Sequence, residues 1–213
     1  MKASLIGVGY WGSFIYKTLK EIGFTDIELC DPQVPGACNN YKKMEDSHYI
    51  FIATPVKSHF ELCKYFLSQG KRVFCEKPLV SSEEEAQQLY EIAEKNNTYL
   101  FVDWLFTYNY GVGLIQQYIK DKRQELGRNP ITDIYICRKN TNIDHITDIS
   151  AKIDLAGHDL SIALTLTEQI PLRVKWHEYK KNSKSIQNDS ALGYLTFGKF
   201  NTTIDVSWYN AYK

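Results

Sequence analysis

The sequence carries no surplus of either charge: 25 Lys and Arg residues balance 25 Asp and Glu, and no basic run disturbs the balance. That removes the electrostatic footprint a nucleic-acid partner requires. Long apolar runs are missing too. No stretch approaches the roughly 18 consecutive apolar residues of a membrane-spanning helix, so no membrane partner is expected. The residues ahead of Gly7 are too few for a signal peptide, and no secretory address is expected. The five cysteines (Cys30, Cys38, Cys63, Cys75 and Cys137) are odd in number and include no C-x-x-C pair. This argues against a disulfide framework and against a zinc site. Cys30 and Cys75 sit inside apolar runs, as small core residues do. A reducing cytoplasm is the expected compartment.

What is present is enough for a core. The chain has 213 residues, and 44% of them are apolar. Short apolar segments at 2–6, 27–30, 49–53, 72–75 and 99–102 have the length and composition of buried strands. Between them, 10–22, 56–68 and 83–95 have helical character. Gly23 and Gly70 stand as stops, and Ser82 with Glu85 forms a capping box. Strand and helix alternating about five times predict a parallel, doubly wound sheet. Beyond it, 110–120 and 152–166 predict helices, and 131–137, 173–179, 192–197 and 202–208 predict strands. The fold class expected is therefore α/β: a Rossmann-like parallel sheet over residues 1–106, followed over 107–213 by an α+β unit with a mainly antiparallel open sheet.

Three strings carry chemistry. Gly7-Val8-Gly9-Tyr10-Trp11-Gly12 follows a strand and opens a helix. In G-x-G-x-x-G the first glycine permits a tight turn, the second admits a pyrophosphate, and the third lets helix and strand pack closely. The helix N-terminus supplies free N–H groups and partial positive charge. Asp31 ends the second strand about twenty residues on, where a carboxylate accepts from ribose hydroxyls and repels a 2′-phosphate. NAD is therefore favoured over NADP. Methyltransferases carry similar loops, and the glycines alone do not separate the two.

Glu76-Lys77-Pro78 closes the fourth strand, at the sheet edge where open parallel sheets bind ligands. A lysine there reaches the nicotinamide end of a cofactor; the alternative is a surface lysine ahead of a helix. Asp154 and His158 are four residues apart, which on an α-helix puts both on one face. Histidine exchanges protons near neutrality; the alternative is an ordinary helix histidine bonded to an acidic neighbour. Gly157 between them costs helix stability and marks a place where a ligand or cofactor comes close. No third ligand completes a metal site.

Taken in order, these strings resemble the Gfo/Idh/MocA oxidoreductases. The resemblance includes Ala53-Thr54-Pro55 with His59, the segment 104–109, Asp154-Leu155-Ala156-Gly157-His158-Asp159, and Val206-Ser207-Trp208 with Tyr212-Lys213. The 154–159 phrase is most similar to that of the nucleotide-sugar branch, which includes 3-dehydrogenases of UDP-N-acetylglucosamine-type sugars. The resemblance implies an NAD(P)-dependent oxidoreductase that interconverts a hydroxyl and a keto group on a sugar or nucleotide-sugar. It implies cofactor contacts at Gly7, Gly9, Tyr10, Trp11, Gly12, Asp31, Thr54, Pro55, His59, Glu76 and Lys77. It further implies substrate positioning and proton transfer by Lys77, acid–base work by His158, support from Asp154, a cis Lys77–Pro78 bond, and a homo-oligomer. Family members usually run longer, so the open sheet is expected to be shortened. Ser150-Ala151-Lys152-Ile153 stands where many members have a glycine run. The other reading is a cofactor-binding relative without turnover, acting as a partner or regulator.

Overall fold

The computed structural model describes residues 2–44, 46–140, 149–181 and 186–209. The chain divides into two compact units, Met1–Asp103 and Trp104–Lys213.

The first unit is built on β1 (Lys2–Ile6), β2 (Asp26–Cys30), β3 (Tyr49–Ile52), β4 (Arg72–Cys75) and β5 (Leu100–Val102), with helices α1 (Tyr10–Glu21), α2 (His59–Ser68) and α3 (Glu83–Lys95) between them. All pairings are parallel, in the order β2-β1-β3-β4-β5. The strands are apolar on both faces because helices cover both. Leu5, Ile50, Ile52 and Cys75 have no exposed surface, and Phe66 and Leu67 of α2 and Leu89 of α3 are equally buried. Each such side chain contributes about 1.5–3 kcal/mol of burial. Ser82 caps α3 as its spacing predicts, its hydroxyl accepting from Glu85 N at 3.2 Å. From β1 the chain builds outward in one direction to β2 and in the other to β3. The carboxyl ends of β1 and β3 therefore form the switch point where such sheets bind ligands.

The second unit contains α4 (Tyr110–Leu126), β6 (Asp133–Lys139), a π-helical turn at Lys152–Ala156, α5 (Gly157–Thr167), β7 (Arg173–Tyr179), β8 (Ser190–Thr196) and β9 (Asn201–Ser207). The sheet order is β6-β9-β8-β7; β6 and β9 are parallel and the other two pairings antiparallel. Along each strand alternate residues turn inward. Ala191, Leu195, Ile204 and Val206 form a core with Ala151, Leu155, Ala156 and Trp208. The expected strand at 131–137 starts two residues later, because Ile131 N donates to the Asn129 side chain and holds a turn there. Among the described residues no helix is long and apolar enough to cross a membrane.

Candidate active site

The glycine loop sits between β1 and α1. Gly7 has φ of +87°, and a Cβ there would lie 2.5 Å from the Ala53 carbonyl oxygen just after β3. A Cβ on Gly12 would run into the Gly7 carbonyl oxygen. Both positions exclude any side chain, one by strain and both by backbone that cannot yield. Gly9 differs: a Cβ there would meet nothing within 4 Å. It is the N-cap of α1 and offers no side-chain cap. The loop thus presents free helix N–H groups beside an open space, which fits a pyrophosphate. Tyr10 and Trp11 follow it on the exposed side of α1, the Tyr10 ring meeting both Trp11 and Phe14 edgewise.

Asp31 stands at the carboxyl end of β2. Its Oδ2 accepts from Val8 N at 2.8 Å and its Oδ1 from Gln33 N at 2.9 Å. The carboxylate therefore ties the glycine loop to the neighbouring strand end, and its remaining lone pairs are left for further donors. Thr54 and Pro55 leave β3 toward a 3-10 turn, where the Ser58 hydroxyl donates to Thr54 Oγ1 at 2.7 Å. His59 is 1% exposed. Its Nε2 lies 2.8 Å from the Thr54 carbonyl oxygen, and its Nδ1 lies 2.9 and 3.1 Å from the carbonyls of Pro78 and Leu79. Its ring thus joins the end of β3 to the turn after β4. That turn carries Lys77, and the Lys77–Pro78 bond is cis.

Glu76 and Asp103 end the adjacent strands β4 and β5, with Glu76 N bonded to Ile52 O and Asp103 N to Cys75 O. Burial pushes the Glu76 carboxyl above its ordinary value; the Asp103 charge adds to this, and the Lys77 N–H and ammonium partly offset it. Burial alone pushes Asp103 up. A carboxyl raised in the folded state stabilises most in acid, below the unfolded range, and loses that contribution as pH climbs through the raised value. Glu76→Gln is therefore expected to raise the melting temperature at neutral pH, with the gain shrinking toward about pH 4. Thermal melts at the two pH values check this. A gain independent of pH would contradict the origin given.

In the second unit, His158 and Asp159 occupy the first turn of α5, 7% and 0% exposed. Two aromatic rings stand edge-on to the imidazole: Phe106 at 5.0 Å and Trp104 at 6.3 Å between ring centres. Gly157 makes room for one of them, since a Cβ there would lie 2.9 Å from Trp104 Cζ3. The close approach that this glycine allows is made by a tryptophan. Asp154 lies in the π-helical turn and accepts from Trp208 Nε1 at 3.1 Å. A single α-helix from residue 152 does not form. The turn that bears Asp154 is π-helical and the one that bears His158 is α-helical, so the two residues do not share one regular α-helix. Turns of the π-helical kind recur at functional sites. Of the strand-end similarity, Val206, Ser207 and Trp208 are in place, while Tyr212 and Lys213 lie outside the described residues.

Two charged groups stand beside the histidine: Asp159, which the motif includes without a role, and Arg138, which it misses. Arg138, at the end of β6, donates from Nε at 2.9 Å and from Nη2 at 2.7 Å to Asp159 Oδ1. Its guanidinium lies 4.3 Å from the centre of the Phe106 ring. Burial pushes the Asp159 carboxyl up, and Arg138 offsets part of that. A signal was there: strand alternation places Arg138 on the same inward side as Ile134 and Ile136, a position a charge occupies only with a partner.

A Rossmann sheet, a pinched glycine loop with one open position, and a carboxylate at the end of β2 meet in one unit, as they do in dinucleotide-binding folds. Residues 1–104, just under half of the chain, match the Gfo/Idh/MocA family model, described as "Oxidoreductase family, NAD-binding Rossmann fold". An uncharacterized oxidoreductase of Bacillus subtilis, YfiI, is 35% identical over 85 residues, which is 39% of this chain and 22% of the relative. Levoglucosan dehydrogenase of Pseudarthrobacter phenanthrenivorans is 32% identical over 76 residues, 36% of this chain and 20% of the relative. The matched stretches are thus about a fifth of those proteins' lengths. The crystal structure of the WlbA dehydrogenase from Bordetella pertussis, in complex with NADH and UDP-GlcNAcA, has a TM-score of 0.85 at 17% identity. That likeness covers 100% of this chain and 74% of the other, and at that identity it speaks for the fold.

Proposed function

We propose that the chain is an NAD-dependent dehydrogenase that interconverts a hydroxyl and a keto group on a sugar. The open position at Gly9, between two glycines that admit no side chain, is the observation that carries the reading. Gly7, Gly9 and Gly12 receive the pyrophosphate with the N–H groups of α1, flanked by Tyr10 and Trp11. Asp31 receives the ribose hydroxyls. Thr54, Pro55 and Glu76 line the cofactor's edge of the sheet, and His59 supports it from behind by holding two loops together. NAD, when bound, supplies the hydride acceptor.

The unit from Trp104 onward serves the substrate. His158 takes the proton of the reacting hydroxyl in oxidation and returns it in reduction. Lys77 positions that hydroxyl and assists the proton transfer, and Asp154 supports the substrate or the histidine. The substrate proposed is a nucleotide-sugar of the UDP-N-acetylglucosamine type, oxidised at C3. Support comes from the likeness of residues 154–159 to that branch and from the fold shared with a UDP-GlcNAcA-binding dehydrogenase. Levoglucosan dehydrogenase supports a sugar hydroxyl more broadly.

The test is NADH formation from NAD with a panel of UDP-sugars, myo-inositol and levoglucosan. Turnover of a sugar is expected. NADH binding with no turnover across the panel would replace this reading with a cofactor-binding relative that acts as a partner or regulator. Cofactor choice has its own test. Asp31→Ala is expected to weaken NADH about 10-fold, since hydrogen bonds to a charged acceptor are worth about 1.5–3 kcal/mol. NADPH should lose less, because the repulsion of its 2′-phosphate is removed together with the loop contact to Val8. Fluorescence titration with both nucleotides measures the ratio; equal losses would remove Asp31 from ribose recognition.

A further inference from the structure

We infer that Arg138 and Asp159 are positioning residues for His158: through the Phe106 ring and the first turn of α5 they set the direction in which the imidazole points. The inference rests on the acid–base role proposed for His158 and names what orients it. Its links are all within the second unit. Asp159 is the next residue after His158 and is fully buried. One of its oxygens takes two N–H groups of the same guanidinium, at 2.9 and 2.7 Å. This fastens the turn that bears His158 to the end of β6. The guanidinium plane has a second use. It lies 4.3 Å from the centre of Phe106, within the range at which a cation is drawn to a ring face. Phe106 in turn meets the His158 ring at 81° and 5.0 Å. One arginine thus restrains both the backbone that carries the imidazole and the ring that walls it.

An ion pair serving only the fold would be a poor choice here. Desolvation offsets most of the gain from burying two charges, and apolar replacements of equal volume are often as stable. A site that must hold a reacting group to within about 0.5 Å has a use for such a pair, because its supporting shell sets the precision. The planar fork matters more than the charge. Arginine both stacks and donates in fixed directions, and lysine does neither.

Arg138→Lys keeps the charge and discards the fork. The expected protein melts within about 4 °C of the parent. Its His158 Hε1 resonance, identified by its loss in His158→Gln, moves toward the position seen in Phe106→Leu. Turnover falls about 10-fold or more with KM held, as for a displaced reacting group. Asp159→Asn should move the resonance the same way. If neither single variant folds, the double variant Arg138→Met/Asp159→Leu takes their place, since a fold tolerates that kind of replacement. A folded variant whose His158 resonance stays at the parental position overturns the inference. The resonance is read without cofactor or substrate, so it decides the matter even for a chain that oxidises no sugar. A moved resonance in a parent with no turnover would sink the dehydrogenase reading and leave the positioning pair standing.

Discussion

His158→Ala is expected to lower turnover by at least ~100-fold while NADH affinity stays at the parental value. The size follows from the job. A positioned acid–base group contributes about 10²–10⁴-fold, and the histidine is proposed as the group that takes the substrate's proton. The retained cofactor affinity follows from the architecture. The glycine loop, Asp31 and the switch point all belong to the unit that ends at Asp103, and His158 belongs to the other. Removing a side chain walled by Phe106 and Trp104 also leaves a hole, so a modest loss of stability accompanies the variant. His158→Gln fills more of that hole and should be just as inactive. Steady-state rates with a productive sugar, set beside NADH titrations, separate the effects. Parental turnover in either variant would take the imidazole out of the chemistry.

The second large effect separates two glycines three residues apart. Gly12→Ala should cost about 3 kcal/mol of stability, or roughly 10 °C in melting temperature. The added methyl meets the Gly7 carbonyl oxygen, and backbone at the mouth of a parallel sheet cannot step aside. Gly9→Ala should do the reverse. Its φ of −71° suits any residue and its Cβ has open space, so the melting temperature should hold, as expected for an N-cap change of a few tenths of a kcal/mol. NADH affinity should nevertheless fall at least ~10-fold, because the methyl stands where the pyrophosphate must approach. Melting curves and nucleotide titrations on the two variants check both halves. A Gly9→Ala protein that binds NADH like the parent would show that the open space is not the phosphate's place.

How far each feature could be foreseen depends on how local its cause is. The five strands of the first unit announce themselves as short apolar runs, and the segments of β7, β8 and β9 are named as strands from the sequence as well. The cap of Ser82 on α3 is a four-residue affair. The loop from Gly7 to Gly12 needs only its own glycines and the strand before it. Other features join distant residues. His59 gathers carbonyl oxygens from residues 54, 78 and 79, and no spacing between them encodes that. Asp103 becomes the electrostatic neighbour of Glu76 only because β5 pairs with β4. The π-helical turn ahead of α5 leaves no mark in the hydrophobic pattern, so the helix expected from residue 152 begins as a wider turn.

By itself the sequence determined the parallel sheet and the tight glycine turn that opens α1, because each follows from neighbours within one strand or one helical turn. Only the tertiary structure decided that Gly157 yields to a tryptophan ring, that Asp154 takes an indole N–H, and that a half-buried arginine pairs with Asp159 and lies against the Phe106 ring. Those outcomes arise where elements pack. There the partner of a charged or aromatic group is chosen by shape and by the need to satisfy buried polar atoms, and no periodicity along the chain carries that choice.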